Sequence, residues 1–288
     1  MAEPNGANPF DLKLPAYQKW AEPVSRVFAR VALERADLTL GARVLDVCAG
    51  TGALALQAAQ SGLQVNAIDS APLMTAHLAE RLKPYPGCTA EIMDALDMRW
   101  DDRRFDAACS VFGVMFFGPQ VPNALTGMRR VVRPGGTVAV VHWAAARGAP
   151  YFDILAQASR DLHDPEIGTL QTMIEGYLDR EDLQNALSAV GLVDVHTEPL
   201  HVVGAIPEPD SFLAELETFF YVGVPGFGNL NPDQRERLDT AVASVVRDIE
   251  EGNAPRPEFR ANLAVGRVAA ETSSSARKDS RWAPCRSR

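Results

Sequence analysis

The feature that most restricts the fold of this chain is the run Val44-Leu45-Asp46-Val47-Cys48-Ala49-Gly50-Thr51-Gly52. A mostly apolar stretch, residues 42–47, breaks at a glycine turn, and a helical pattern with Leu54, Leu56, Ala58 and Ala59 follows until Gly62. Glycines at a strand-to-helix turn let the backbone approach a ligand that a Cβ would block. The alternation then repeats. A second strand over residues 64–68 ends at Asp69, and Pro72 opens a helix carrying Leu73, Met74, His77, Leu78 and Leu82 on its apolar side. A third strand over residues 89–93 ends at Asp94, and a fourth covers residues 106–111. A helix between Pro122 and Val132, the turn Arg133-Pro134-Gly135-Gly136 and a fifth strand over residues 137–143 continue the rhythm. Strands joined by helical crossovers predict an α/β fold, a doubly wound, mostly parallel sheet with helices on both faces. Such sheets bind ligands beyond the carboxyl ends of their strands.

The rhythm changes after Trp143. A helix and a loop around His163-Asp164-Pro165 fill residues 150–178, a helix runs from Arg180 to Val190, and residues 193–203 read as a strand. Helical segments over residues 211–220 and 232–250 form an insertion at about 205–257, before a last strand over residues 259–268. The expected sheet therefore has seven strands, with the domain spanning residues 14–269. Residues 1–13, rich in Pro, Asn and Ala, read as a flexible end, and residues 270–288 read as a disordered tail. The inserted helices, which carry Phe212, Phe219, Phe220, Tyr221 and Phe227, can roof a site or form a homodimer contact.

Composition narrows the function classes. A net charge of -9 argues against a nucleic-acid binder, which presents a basic face to phosphates. No stretch reaches the roughly 20 apolar residues of a membrane span. The four cysteines form no CxxC pair and lie near no His at zinc spacing, so no metal site is expected. A reduced, cytoplasmic setting is the simple reading.

Glycine spacing alone leaves the cofactor open, because Gly50-Thr51-Gly52-Ala53-Leu54-Ala55 also fits a dinucleotide fingerprint, with Asp69 near the place of a ribose-binding acid. Three features separate the alternatives. Asp46 lies at the end of the first strand, where dinucleotide binders keep an apolar residue beside the helix N-terminus that receives pyrophosphate. S-adenosylmethionine has no phosphate, and its cationic groups suit a nearby carboxylate. Asp94-Ala95 follows the third strand, and Phe105-Asp106-Ala107-Ala108 precedes Arg129-Arg130-Val131-Val132-Arg133-Pro134-Gly135-Gly136 in a recognisable order.

With these motifs the chain resembles the class I S-adenosylmethionine-dependent methyltransferases, especially the small-molecule and quinone-type branch, over residues 42–143. The resemblance implies that Asp46, Gly50 and Gly52 cradle the methionine part of the cofactor and that Asp69, with Ser70 beside it, holds the ribose hydroxyls. It implies that Met74 packs on the adenosine, Asp94 reads the adenine amino group, Ala95 backs the ring and Ser110 faces methionine or substrate. Cys48 stands where the family often has Gly. Similar enzymes use the N-terminal segment as a lid, which makes Tyr17 and Trp20 lid candidates.

Phe112, Met115, Phe116 and Phe117 predict an apolar wall, and Trp143 stands at the end of the fifth strand beside His142, the candidate catalytic base. The expected reaction is O- or C-methylation of a small apolar or aromatic acceptor by in-line displacement. The segment Ser110-Val111-Phe112-Gly113 lacks the Asn- or Asp-Pro-Pro motif of adenine and glutamine methylases, and the carboxylates of magnesium-dependent catechol-type enzymes are missing around residues 141–143. Three alternatives stay open at this level: a cofactor-binding regulator, a cyclase assisted by the sulfonium, and an NAD-dependent oxidoreductase.

Overall fold

The computed structural model describes residues 8, 10, 11, 14–144, 149–164, 167 and 178–271. Seven strands form one sheet: β1 (Arg43–Val47), β2 (Gln64–Asp69), β3 (Thr89–Ile92), β4 (Phe105–Val111), β5 (Val132–Trp143), β6 (Leu192–Val203) and β7 (Glu258–Val268). Their order is β3-β2-β1-β4-β5-β7-β6. The first five pair in parallel, whereas β7 runs antiparallel to both β5 and β6. This is the expected doubly wound, mostly parallel seven-stranded sheet, with the helical insertion before its last strand.

On the N-terminal side a short helix α1 (Leu14–Ala16) passes through a π-helical turn, Tyr17–Ala21, into α2 (Glu22–Ala36). The crossovers are α3 (Ala55–Gln60), α4 (Pro72–Leu82) and α5 (Val121–Val131). After β5 come α6 (Pro150–Asp161) and α7 (Arg180–Ala189), and between β6 and β7 lie α8 (Phe212–Gly223) and α9 (Pro232–Glu250). Local signals explain where several helices begin. Pro72 opens α4 in its first turn, where its missing N–H costs nothing. Asn231 and Gln234 form a reciprocal capping box at the start of α9. In α5 the buried residues Val121, Ala124, Leu125, Met128 and Val131 recur at helical spacing, so a single face meets the sheet.

Strand alternation divides the core into two layers. Val44, Ala107, Cys109, Ala139 and Val141 face α2, α3, α6, α8 and α9, whereas Leu45, Val47, Ala108, Val138 and Val140 face α5 and α7. Because β1, β2, β4 and β5 are parallel, the loops that leave their carboxyl ends gather at one edge of the sheet. No helix among the described residues is long and apolar enough to cross a membrane.

Several features differ from the sequence expectation. β5 begins at Val132 rather than 137, because Val132 pairs with Phe105 before an irregularity in the β4–β5 register. β3 ends one residue early, at Ile92. At the N-terminal end, Asn8, Phe10 and Asp11 make side-chain contacts with the body of the domain, described below. The expected disordered tail lies outside the described residues from position 272 onward, and Glu271 forms an ion pair with Arg103.

Candidate active site

The turn after β1 is built on three alternate left-handed positions, Cys48 (φ 59°), Gly50 (φ 54°) and Gly52 (φ 95°). A Cβ on Gly52 would lie 2.3 Å from a Leu78 methyl, so glycine is what lets α4 pack directly on the turn. Cys48 adopts a backbone conformation that favours glycine. Its Cβ lies against Gly113, where an added Cβ would come within 2.3 Å. The loops after β1 and β4 are therefore in backbone-level contact.

Two carboxylates organise this turn. Asp46 is buried, and its Oδ2 accepts a 2.9 Å hydrogen bond from the Ala55 N–H, capping the first turn of α3. Burial is the main force on its carboxyl and, with Asp69 nearby, pushes its pKa up to about 7 despite that hydrogen bond. At the end of β2, Asp69 accepts from the Gly50 N–H (2.8 Å, Oδ2) and the Ala71 N–H (2.9 Å, Oδ1). Burial raises the Asp69 pKa as well, opposed by these backbone donors.

A third carboxylate was not apparent from the sequence. Glu22, at the start of α2, is buried and accepts two hydrogen bonds from the Arg81 guanidinium (2.8 and 2.9 Å) and one from the Thr51 hydroxyl (2.6 Å). Arg81 also donates to the Thr51 carbonyl at 3.0 Å. Burial works against the Glu22 carboxylate, but these donors outweigh it and hold its pKa below the usual range. The group ties α2 and α4 to the glycine turn. No short-range sequence pattern reveals it, since Glu22 and Arg81 stand 59 positions apart.

A cavity of about 100 Å³ opens between these loops, lined by Tyr17, Cys48, Gly50, Asp69, Ser70 and Met74 on one side. Phe10, Val111, Phe112, Gly113, Phe116 and Phe117 line the other. Phe112 stacks on Trp143 with ring centroids 3.8 Å apart and an interplanar angle of 13°. Phe10 meets Phe116 edge-on at 5.1 Å. The N-terminal segment covers the rim: Asn8 donates to Ser70, and the Asp11 carboxylate accepts from the Leu73 and Met74 N–H groups at the start of α4.

Residues 44–136 match the model of a methyltransferase domain. The structure of Haemonchus contortus phosphoethanolamine N-methyltransferase 2 in complex with S-adenosyl-L-methionine is similar, with a TM-score of 0.52 and 19% identity over 84% of this chain and 52% of that one. At that identity the likeness is one of fold. Residues 44–136 are a methyltransferase domain by the model match, and the sheet that holds them has the class I methyltransferase fold. An uncharacterized protein of Mycobacterium tuberculosis is 34% identical to it over 129 residues, 44% of this chain and 46% of that protein. The demethylmenaquinone methyltransferase of Beutenbergia cavernae is 32% identical over 128 residues, 44% of this chain and 52% of that enzyme. The chain thus spans about half the length of these curated relatives.

Tyr17, Gly50, Asp69, Ser70, Met74, Phe112 and Phe116 of the expected site line one cavity. Asp46 lies beneath the turn on Ala55, Gly52 faces Leu78, and Trp143 stands behind Phe112. Trp20 is half-buried and holds Glu215 of α8 rather than the cavity. Asp94 is exposed, with Oδ1 accepting from the Leu96 N–H, while Ala95 is buried among the residues facing α5. Ser110 is buried below Gly113, whose added Cβ would come within 2.9 Å of its hydroxyl.

His142 departs most from expectation. It is fully buried rather than turned to the crevice, and its Nδ1 lies 3.0 Å from the Trp143 carbonyl oxygen. Val141 and Trp143 face the α2 layer, so alternation turns His142 to the opposite face of β5.

Proposed function

We propose that this protein transfers a methyl group from S-adenosylmethionine to a small, apolar or aromatic acceptor of the quinone type, at oxygen or carbon. The observation that carries the reading is the convergence of Asp69, Gly50 and Met74 with Phe112 and Phe116 around one cavity. That arrangement pairs a ribose-binding carboxylate and a bare backbone turn with an apolar wall. The quinone class is suggested by the demethylmenaquinone methyltransferase among the relatives. The placement of Asp46 favours this cofactor over a dinucleotide. Its carboxylate takes the first-turn amide of α3, the region where a pyrophosphate would need to be received.

The residues fit the cofactor in kind. When bound, S-adenosylmethionine supplies a methyl activated by its sulfonium. Gly50 and Gly52 let the main chain approach the methionine part, with the Asp46 carboxyl beneath the turn. Asp69 retains lone pairs beyond its two backbone bonds and orients the ribose hydroxyls, with Ser70 beside it. Met74 packs on the adenosine, Asp94 and Ala95 serve the adenine end, and Ser110 lies below the reacting groups. The cavity is smaller than the roughly 300 Å³ at the low end of ligand sites. Phe10, carried outside the regular elements, is the wall that yields, and Tyr17 and Trp20 stay as the lid.

On the acceptor side Phe112, backed by Trp143, and Phe116 seat a flat ring and exclude water from the line of displacement. An electron-rich ring carbon or an acceptor that arrives deprotonated needs no base in its attack. His142 is the candidate base for a protonated acceptor, on the condition that its ring gains access to the cavity.

The test is calorimetric titration with S-adenosylmethionine, S-adenosylhomocysteine and NADH, followed by methyl transfer from labelled cofactor to hydroquinones and phenols. Micromolar binding of the first two and transfer to a hydroquinone are expected. Binding of NADH alone would withdraw the methyltransferase reading.

A further inference from the structure

The segment Tyr17–Ala21 is wound as a π-helix between two α-helical stretches, a form that is rare and often placed at functional sites. It has three anchors. At its start, Tyr17 is half-buried with its ring against Gly50: a Cβ added to that glycine would sit 3.4 Å from the Tyr17 hydroxyl. At its far end, Ala21 leads into Glu22, which holds Thr51 and Arg81. Both of these anchors touch the glycine turn.

The third anchor lies outside the cavity, in the helical insertion. Both oxygens of Glu215, on the inserted helix α8, are engaged by this segment. One accepts from Lys19 Nζ at 2.5 Å and the other from the Trp20 indole N–H at 3.1 Å. The Lys19 ammonium also lies 4.9 Å from the centre of the Trp20 ring. Behind them, the Tyr151 hydroxyl of α6 donates to the Trp20 carbonyl at 3.1 Å. An exposed ion pair by itself contributes little. Here the carboxylate is only partly exposed, at 30%, and it fixes an indole donor as well as an ammonium, so it sets the place of the segment's backbone.

We propose that Glu215 is a positioning residue for cofactor retention, holding the Tyr17–Ala21 segment through Lys19 and Trp20 so that Tyr17 stays closed over Gly50. The inserted helices and the cofactor turn are then joined by one covalently continuous strap, and loosening its outer anchor speeds cofactor release. This inference rests on the cofactor reading above.

The experiment measures S-adenosylhomocysteine affinity and release rate for the wild type, Glu215→Ala, Trp20→Phe and the double variant. Thermal melts and amide exchange across residues 48–54 accompany it. Loss of one charged hydrogen-bonded contact predicts a release rate and Kd raised about three- to tenfold in Glu215→Ala. The expected accompaniments are faster exchange at the turn and a nearly unchanged melting temperature. Trp20→Phe removes only the indole donor and should reproduce part of the effect. The double variant should cost no more than Glu215→Ala alone, because both act along one path. Glu215→Asp should recover part of the affinity. Unchanged affinity and release in Glu215→Ala, with the wild type binding normally, would overturn the proposal. Failure of the wild type itself to bind would instead overturn the cofactor reading.

Discussion

The substitution Asp46→Asn separates the folding cost of the site from its use. In the folded chain the Asp46 carboxyl titrates near pH 7, against an ordinary value of 3.8, chiefly because it is buried. Between those two values the folded state holds a proton that the unfolded state has released. Stability therefore falls as pH rises, at up to about 1.4 kcal/mol per pH unit, and the loss is complete above about pH 7. The whole shift of about three units corresponds to an order of 4 kcal/mol. Asparagine keeps an oxygen that can accept from the Ala55 N–H, so the cap on α3 survives while the titration disappears. Any cost of burying the new amide is independent of pH and cancels from the comparison. Between pH 5.5 and 7 the stability of the variant relative to wild type should therefore rise by about 2 kcal/mol. In thermal melts this is a relative gain of about 4–8 °C across that interval. Parallel stability curves for the two proteins over pH 5.5–8 would refute the reasoning, since they would mean that Asp46 is already ionised in the folded protein. The same variant should bind S-adenosylmethionine more weakly, which calorimetry would read.

Asp69→Ala removes an acceptor from the Gly50 and Ala71 N–H groups together with the proposed ribose clamp. Calorimetry should show S-adenosylhomocysteine affinity lower by at least about thirtyfold, from a loss of a few kcal/mol. Gly52→Ala places a methyl 2.3 Å from Leu78 at φ 95°, so denaturant titration should show a loss of about 1–3 kcal/mol. Adding Leu78→Ala would relieve the collision but not the backbone strain, and would not restore the glycine protein's affinity. His142→Gln should leave cofactor affinity unchanged, because the imidazole lies outside the cavity lining. If methyl transfer then fell by a hundredfold or more and its pH profile lost the imidazole limb, His142 would stand as the base.

Much of the fold could be read from periodicity. Strand and helix alternate from residue 43 to 143 with boundaries within a few positions of those expected, because β1, β2 and β4 are short, largely apolar runs closed by Gly or Asp within a few residues. The start of β5 escaped this reading for a physical reason. Pro134, Gly135 and Gly136 look like a break, yet the chain stays alongside β4, so closely that a Cβ on Gly136 would lie 2.5 Å from the Asp106 carbonyl oxygen. In the site, Gly50 and Asp69 were legible because their backbone roles impose residue type at fixed places. The contacts of Asp11 and the Glu22–Arg81–Thr51 group were not, since each joins residues tens of positions apart. His142 shows how strict strand parity is. Its position at the end of β5 was legible, but facing follows from counting along the strand, and a shift of one residue reverses it.

The placement of β7 between β5 and β6 gives the order of synthesis a role in assembly. Among the described residues β6 pairs in the sheet only with β7, and β7 is the last of these seven strands to be made. While the ribosome is still producing α8 and α9, the five parallel strands can already be paired, but β5 presents an open row of backbone donors and acceptors. An unpaired edge of that kind recruits other strands and favours aggregation. Once residue 268 has emerged, a single strand seals β5 on one side and captures β6 on the other. The reversed strand is thus the closing piece of the nascent domain, and interruptions of translation within α9 should leave the most aggregation-prone fragments.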